Sequence, residues 1–439
     1  MNLYIYIEIF NREFLSKFII GMESASKGLN VYIGRIKPYL IRDFFAPGVI
    51  LLKSITPSSN RIKQLEYYKS KNFIITSLDE EVGLLNRNIN QYLKLRYSHK
   101  TVQLVDKIFT WGKFDYDNLC KKFKNLKKKF VFFGPSKKNF WKKKFKNFFK
   151  KKKSRKKKYI LFSLNFSYLF SEKEFDKHLI LLKKNDYPNR GYTIKKIKKL
   201  RKDSYKMLKE FSKLIIALSK KINLKIVVRP HPTNDLKIYS FLKKFKNIEV
   251  NNKGNISEWI YNSRLVIHSG CTGGLESSIR GYPTISYTPF KSSTGHKFAN
   301  IFSKKFNNLK KCINFIDKEL KKDLVIDRSK LNLDRIRSRA SNLFSKKPAF
   351  KIISYEFLKL LKKKRYKQIN NDLYLKFIFK LRDFRSSILR LNYGNRKFEY
   401  FNKFDVLNDF EILKKINPKY QNLKINFLKK DIIQIKRIN

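Results

Sequence analysis

Short apolar runs bounded by turn-forming residues alternate with longer stretches of helical period along most of this chain. Runs at 3–9, 30–34, 48–52, 71–76, 107–111 and 130–134 predict one set of strands. Runs at 159–162, 226–228, 248–250, 265–268 and 284–287 predict a second set. The central runs are apolar throughout rather than alternating, which suits strands buried on both faces of a parallel sheet. Between them, residues 14–27 and 194–221 carry apolar positions at helical spacing, with Gly28 placed to close the first helix. The opening reads as a βαβ unit. From about residue 350 the pattern turns helical, at 352–361, 373–391 and 403–416. The fold class expected is α/β: two Rossmann-like domains, at 1–120 and 159–350, joined by a linker or insertion at 121–158 and followed by a helical C-terminal extension at 351–439.

In open parallel sheets, ligands bind outside the carboxyl ends of the strands. Two polar clusters fall there in the second domain. Arg229-Pro230-His231-Pro232 follows the run at 226–228, and Ser269-Gly270-Cys271-Thr272-Gly273-Gly274 follows the run at 265–268. The glycines let backbone approach a ligand, and a helix expected from residue 275 turns its positive end toward that turn. Ser269 and Thr272 add hydroxyl donors, His268 stands at the strand tip, and Glu276 is placed to accept from a ribose diol. Arg229 and His231 would meet a phosphate, and His231 titrates where acid–base chemistry runs. The plainer alternative is a strand–turn–helix crossover whose glycines only permit tight packing, since glycine-rich turns are weak motifs. Cys271 reads as a small packing residue rather than a nucleophile.

The stretches RPHP and SEWIYNSRLVIHSGCTGGLESSIRGYPTISY, with YIYIEIFNREFLSKFIIGMESASKGLNVYIGR at the start and LDEEVGLL further on, resemble the bacterial surface carbohydrate biosynthesis proteins. These are GT-B-fold relatives of capsule Kdo transferases, and sugar-nucleotide 2-epimerases and polymer glycerophosphotransferases share a looser version of the pattern. The resemblance spans most of 1–350. It implies two Rossmann-like domains facing a cleft, a nucleotide-sugar donor held by the second, and a glycan or lipid-linked acceptor facing the first. It implies donor contacts from Arg229, His231, His268, Ser269, Gly270, Thr272, Gly273 and Glu276. For catalysis it points to Asp79 or Glu80, three acids with Glu81 at a strand end, and to Glu13 beside Arg12, with His231 on the donor side. An N-terminal helix cap and a solvated charge run are the alternatives for these acids. No metal or cofactor is expected, because helix dipoles and basic side chains neutralise the leaving group in GT-B enzymes.

Composition adds one unusual property. The 439 residues carry 101 Lys+Arg against 34 Asp+Glu, a formal net charge of +67. Basic residues are spread along the whole chain and no nucleic-acid module signature occurs, so drift toward Lys-, Asn- and Phe-rich composition accounts for most of the charge and nucleic acid is not the expected partner. Attraction to an anionic membrane is the expected by-product, with KKKFKNFFKKKKSRKKK as its candidate segment. Three separated cysteines make neither a zinc motif nor a disulfide framework. The start lacks the basic region of a signal peptide, and no uncharged run is long enough to span a bilayer. The expected location is cytoplasmic, peripheral to the inner face of the plasma membrane. The expected function is glycosyl transfer from a nucleotide-activated sugar in surface polysaccharide assembly. Its rivals are a 2-epimerase or glycerophosphotransferase, and a non-enzymatic basic protein binding membrane or nucleic acid.

Overall fold

The computed structural model describes residues 1–36, 45–79, 89–132, 136–141, 145, 148, 159–231, 234–295, 297–320, 345, 347–364, 366, 371–388 and 401–438. The chain forms two compact units. One comprises Met1–Gly83, Leu93–Phe140 and Ile336–Asn439, and the other Leu84–Tyr92 and Trp141–Arg335. The expectation of two α/β units with parallel sheets is met.

In the first unit, β1 (Asn2–Tyr6), β2 (Asn30–Gly34), β3 (Gly48–Leu52), β4 (Ile74–Leu78), β5 (Lys107–Phe109) and β6 (Phe130–Val131) are parallel. They lie in the order β2-β1-β3-β4-β5-β6. β3 and β4 are buried along their whole length: β3 is apolar throughout, and in β4 the buried Thr76 hydroxyl donates to the Ile50 carbonyl at 2.9 Å. Each fully buried Ile, Leu or Val contributes about 1.5–3 kcal/mol relative to exposure. The helix Phe10–Ala25 buries every residue from Glu13 onward. Part of that cover comes from the helix Ala349–Lys364, through Ser24 Oγ and Ser354 Oγ at 3.1 Å.

The C-terminal region begins in helices as expected, at Ala349–Lys364, Asp372–Ile388 and Lys403–Ile416. It does not end in them. β13 (Leu423–Lys429) and β14 (Ile432–Arg437) form an antiparallel hairpin, and β14 pairs antiparallel with β2. This region therefore completes the first sheet rather than extending beyond the fold. Within the linker or insertion expected at 121–158, residues 121–129 are structured instead, holding the end of the helix Lys113–Lys122 and the 3-10 turn Lys124–Lys129, and the strand expected at 130–134 is present as β6. Residues 149–158 lie outside the described residues.

The second unit has β7 (Tyr159–Ser163), β8 (Lys225–Arg229), β9 (Ile248–Val250), β10 (Ser263–His268), β11 (Thr284–Tyr287) and β12 (Lys304–Phe306), all parallel. Their order is β12-β11-β10-β7-β8-β9. The chain thus builds outward in one direction from β7 and then reverses at β10, which is the doubly wound arrangement of nucleotide-binding sheets. The helix Ile194–Lys221 packs Phe211, Leu214, Ile215 and Leu218 onto one face of the sheet. Among the described residues, no helix is long and apolar enough to cross a membrane.

Candidate functional site

The reversal in the second sheet opens a crevice at the carboxyl ends of β7 and β10. Ser163 closes β7, and the turn 269–271 follows β10. The helix starts at Thr272, three residues earlier than expected, so Gly273 and Gly274 belong to its first turn. Cys271 is its N-cap: its sulfur accepts from the Gly274 N–H at 3.2 Å and lies 3.2 Å from Ser163 Oγ. Burial raises the Cys271 thiol above its usual range, so it serves as a neutral cap rather than a nucleophile. Thr272 is exposed on the first turn, whose N–H groups carry the positive end of the helix dipole. Gly270 adopts φ +101°, a conformation that favours glycine.

His268 is not a donor contact. It is fully buried, and burial pushes its pKa down to about 3. Its Nδ1 accepts from the Gly270 N–H at 2.9 Å, which leaves the proton on Nε2 to donate to Ser303 Oγ at 2.8 Å. The ring sets the shape of the turn from below. It also explains Gly274, where an added Cβ would stand 2.3 Å from the imidazole. An added Cβ on Gly273 would stand 2.8 Å from Ser163 Oγ. At both positions the close neighbours leave no room for a side chain.

Glu276 is likewise fully buried. Its Oε1 accepts from Ser257 Oγ and lies 3.1 Å from Arg280 Nη1. Its Oε2 and the hydroxyl of Ser269 have no protein hydrogen-bond partner among the described residues. Arg229 differs from the expectation: its guanidinium donates to the carbonyls of Lys253 and Gly254 and lies over the Trp259 ring at 5.6 Å. That clamps the loop after β9. His231 sits half-buried just beyond β8, with its carbonyl accepting from Asn234 N–H. The loop at 288–295 lies against the turn, since an added Cβ at Gly295 would stand 2.3 Å from the Ser269 carbonyl oxygen. Its Ser293 donates from both N–H and Oγ to Asp203 Oδ2 at 2.6 and 2.5 Å.

In the first unit, the order of strands reverses between β1 and β3, and a charged cluster gathers at their carboxyl ends. Glu13 is fully buried and meets Lys17 at 2.8 Å, Arg12 at 3.4 Å and Lys53 at 3.5 Å. Lys17 also donates to the Tyr6 carbonyl at 2.7 Å, and Lys53 pairs with Glu8. Burial alone would raise the Glu13 carboxyl, but Lys17, Lys53 and Arg12 override it and hold it at about 2. A carboxylate so acidic is a poor proton acceptor near neutral pH. Asp79 follows β4 and is buried against Arg96, with Oδ2 at 2.7 Å from Nε, while its carbonyl accepts from Trp111 Nε1 at 2.7 Å. Glu80 lies outside the described residues. Sequence reasoning did not assign Lys17, Lys53 and Arg96, because a lysine or arginine paired inside a fold looks like any other in so basic a chain. Among the described residues, no group of three His, Cys, Asp or Glu could hold a metal ion.

No family model matches the chain, and no curated protein matches it. Solved structures of similar fold include the Methanocaldococcus jannaschii UDP-GlcNAc 2-epimerase in complex with UDP-GlcNAc and UDP. It is 13% identical at a TM-score of 0.46, over 82% of this chain and 100% of that one. The Neisseria meningitidis UDP-GlcNAc 2-epimerase bound to UDP-GlcNAc is 11% identical at 0.43, over 82% and 99%. The wall teichoic acid polymerase TagF is 11% identical at 0.43, over 84% and 90%. Sugar-nucleotide 2-epimerases, named by the sequence resemblance, are thus among the structures this chain is similar to.

Proposed function

We propose that this chain acts on a nucleotide-activated sugar and transfers the sugar to an acceptor in surface-polysaccharide assembly. The observation that carries the reading is the reversal of strand order between β7 and β10. It puts Ser269, Thr272 and the start of the helix Thr272–Arg280 at the place where doubly wound sheets take a nucleotide. The N–H groups of that first turn and the Ser269 and Thr272 hydroxyls would face the donor's phosphates and stabilise the charge that builds on the leaving group. The Glu276 oxygen without a protein partner would accept from the ribose. His231, half-buried beyond β8, is the proton carrier of choice on this side. Glu13 takes instead an electrostatic role, fixing Lys17 and Lys53 at the strand ends of the first unit.

A melting screen with CMP-, UDP-, GDP- and CDP-linked sugars tests the binding half. One nucleotide class should raise the melting temperature, and Ser269→Ala should lower its affinity by about 0.5–1.5 kcal/mol, one hydrogen bond's worth. No stabilisation by any of them would remove the reading. Incubating the preferred donor with and without acceptor tests the second half. Transfer requires the acceptor, whereas consumption of donor alone would make the enzyme an epimerase.

A further inference from the structure

We propose that the second unit carries a docking face for an anionic phospholipid bilayer, built on the solvent-facing side of the helix Ile194–Lys221. The helix holds 28 residues, of which eleven are Lys or Arg and two are acidic. The neighbouring 3-10 helix Leu236–Lys244 adds Lys237, Lys243 and Lys244 and no acid. This density exceeds that of the chain as a whole, where 101 of 439 residues are basic. Charge alone would suit any polyanion, so the decision rests on what lies between the lysines.

A groove of about 770 Å³ runs there, bordered by both helices. Leu208, Ile216, Ala217 and Phe241 give it an apolar lining, and Lys209, Lys213 and Lys220 supply its charge. The positions 205, 209, 212, 216 and 220 recur every three or four residues, so they form one stripe along the helix. It is distinct from the stripe of Phe211, Leu214 and Leu218 that faces the sheet. Leu208 and Ile216 also pack on the core, and Tyr205 Oη donates to the Phe170 carbonyl at 2.8 Å, yet Tyr205 and Phe241 are each 40% exposed and Leu236 is 36% exposed. Aliphatic walls, aromatic rings and lysines with long apolar stems are the combination that settles at the boundary of headgroups and acyl chains. A nucleic acid would use the lysines and possess nothing to fill the aliphatic walls. The groove residues are not those of the nucleotide edge, although Asp203 of the same helix holds Ser293 of the loop beside it, and the inference does not rest on the function proposed above.

Flotation of the full chain with phosphatidylcholine vesicles, with and without phosphatidylglycerol, tests it. The chain should bind only the anionic vesicles. The combined variant K209Q/K213Q/K220Q should weaken that binding by about a hundredfold, given the attraction of each lysine near an anionic surface. An equal change of charge in the first unit, K121Q/K124Q/K128Q, should leave it nearly unchanged. Phe241→Ser, or Tyr205→Ser if the first fails to fold, should weaken the binding that persists in high salt, with thermal unfolding confirming the fold. Three results would each overturn the proposal: unchanged binding by K209Q/K213Q/K220Q, equal loss in the control variant, or protection of these lysines from acetylation by RNA or poly-glutamate but not by anionic vesicles.

Discussion

Glu13 and His268 are both fully buried ionisable groups, and their surroundings settle their charge in opposite ways. Glu13 is held ionised at about 2 against an ordinary 4.5. Between those values the unfolded chain binds more protons than the native state, so stability rises with pH. The contribution, roughly 3 kcal/mol, is complete above pH 4.5 and is lost as the pH falls through 2. Denaturant titrations across that window should show this slope in the parent and a shallower one in Glu13→Gln. At pH 7 the same variant should lose roughly 3–5 kcal/mol, because Lys17 is left buried beside a neutral amide. His268 is held neutral, and Gly274 rests on its ring. Gly274→Ala should therefore cost about 1–3 kcal/mol or more by overpacking. In a His268→Ala background, where the ring is gone, the added cost should shrink. Additive losses in that double-mutant cycle would mean that the ring is not what excludes a Cβ. At this scale the sequence told which residue types stand at strand ends. It could not tell that His268 turns inward, since a polar residue after an apolar run reads the same whether it faces a ligand or caps its own turn. Glu276 shows the same limit, its carboxylate committed on one side to Ser257 and Arg280.

The elements found from sequence are those whose burial is one-sided in cause: apolar runs of the central strands and the long amphipathic helix Ile194–Lys221, which was placed to the residue. The hairpin β13–β14 was missed for a physical reason. Its apolar positions, Leu423, Ile432, Ile433 and Ile435, are interrupted by lysines and by Gln434, so the run reads as charged surface. Gln434 is nevertheless fully buried, where its Nε2 meets Tyr32 Oη at 3.3 Å and its Oε1 accepts from Asn426 at 2.9 Å. Only pairing with β2 makes the element intelligible, and such distant pairing leaves no local mark. The junction has a specific point of contact. Gly34 has φ +149°, and an added Cβ would stand 2.0 Å from the Asp431 carbonyl oxygen. Gly34→Ala should accordingly loosen the hairpin while sparing the sheet's parallel core. Hydrogen exchange should speed up in residues 423–437 more than in β1 or β3. Uniform protection across the three would show that the turn yields without cost.

At the scale of the whole molecule, two α/β units were legible because two sets of buried strands, separated by a lysine-rich stretch, admit little else. The path of the chain between them was not, since the first unit is finished by residues that follow the second. This order has a consequence for folding. The helix Phe10–Ala25 is buried through its last thirteen residues, and much of that cover comes from the C-terminal region: Phe18 faces Phe410 with ring centroids 6.4 Å apart, and Glu23 accepts from Tyr420 Oη at 2.9 Å. A chain ended at residue 335 would expose these groups, leave the edge of β2 unpaired and leave the Glu23 carboxylate with Lys27, at 3.3 Å, in place of its Tyr420 bond. Among the described residues, the core clusters packed on the second sheet run from Tyr159 to Leu320. Residues 1–335 should therefore keep slow hydrogen exchange in β7, β8, β10 and β11 and lose it in β1–β4, and should aggregate through the bared sheet edge. The fragment 141–335 should remain soluble and unfold in a single transition. Slow exchange in β1–β4 of the 1–335 chain would mean that the first sheet is stable without its closing hairpin, and that the C-terminal return adds a surface rather than completing a core.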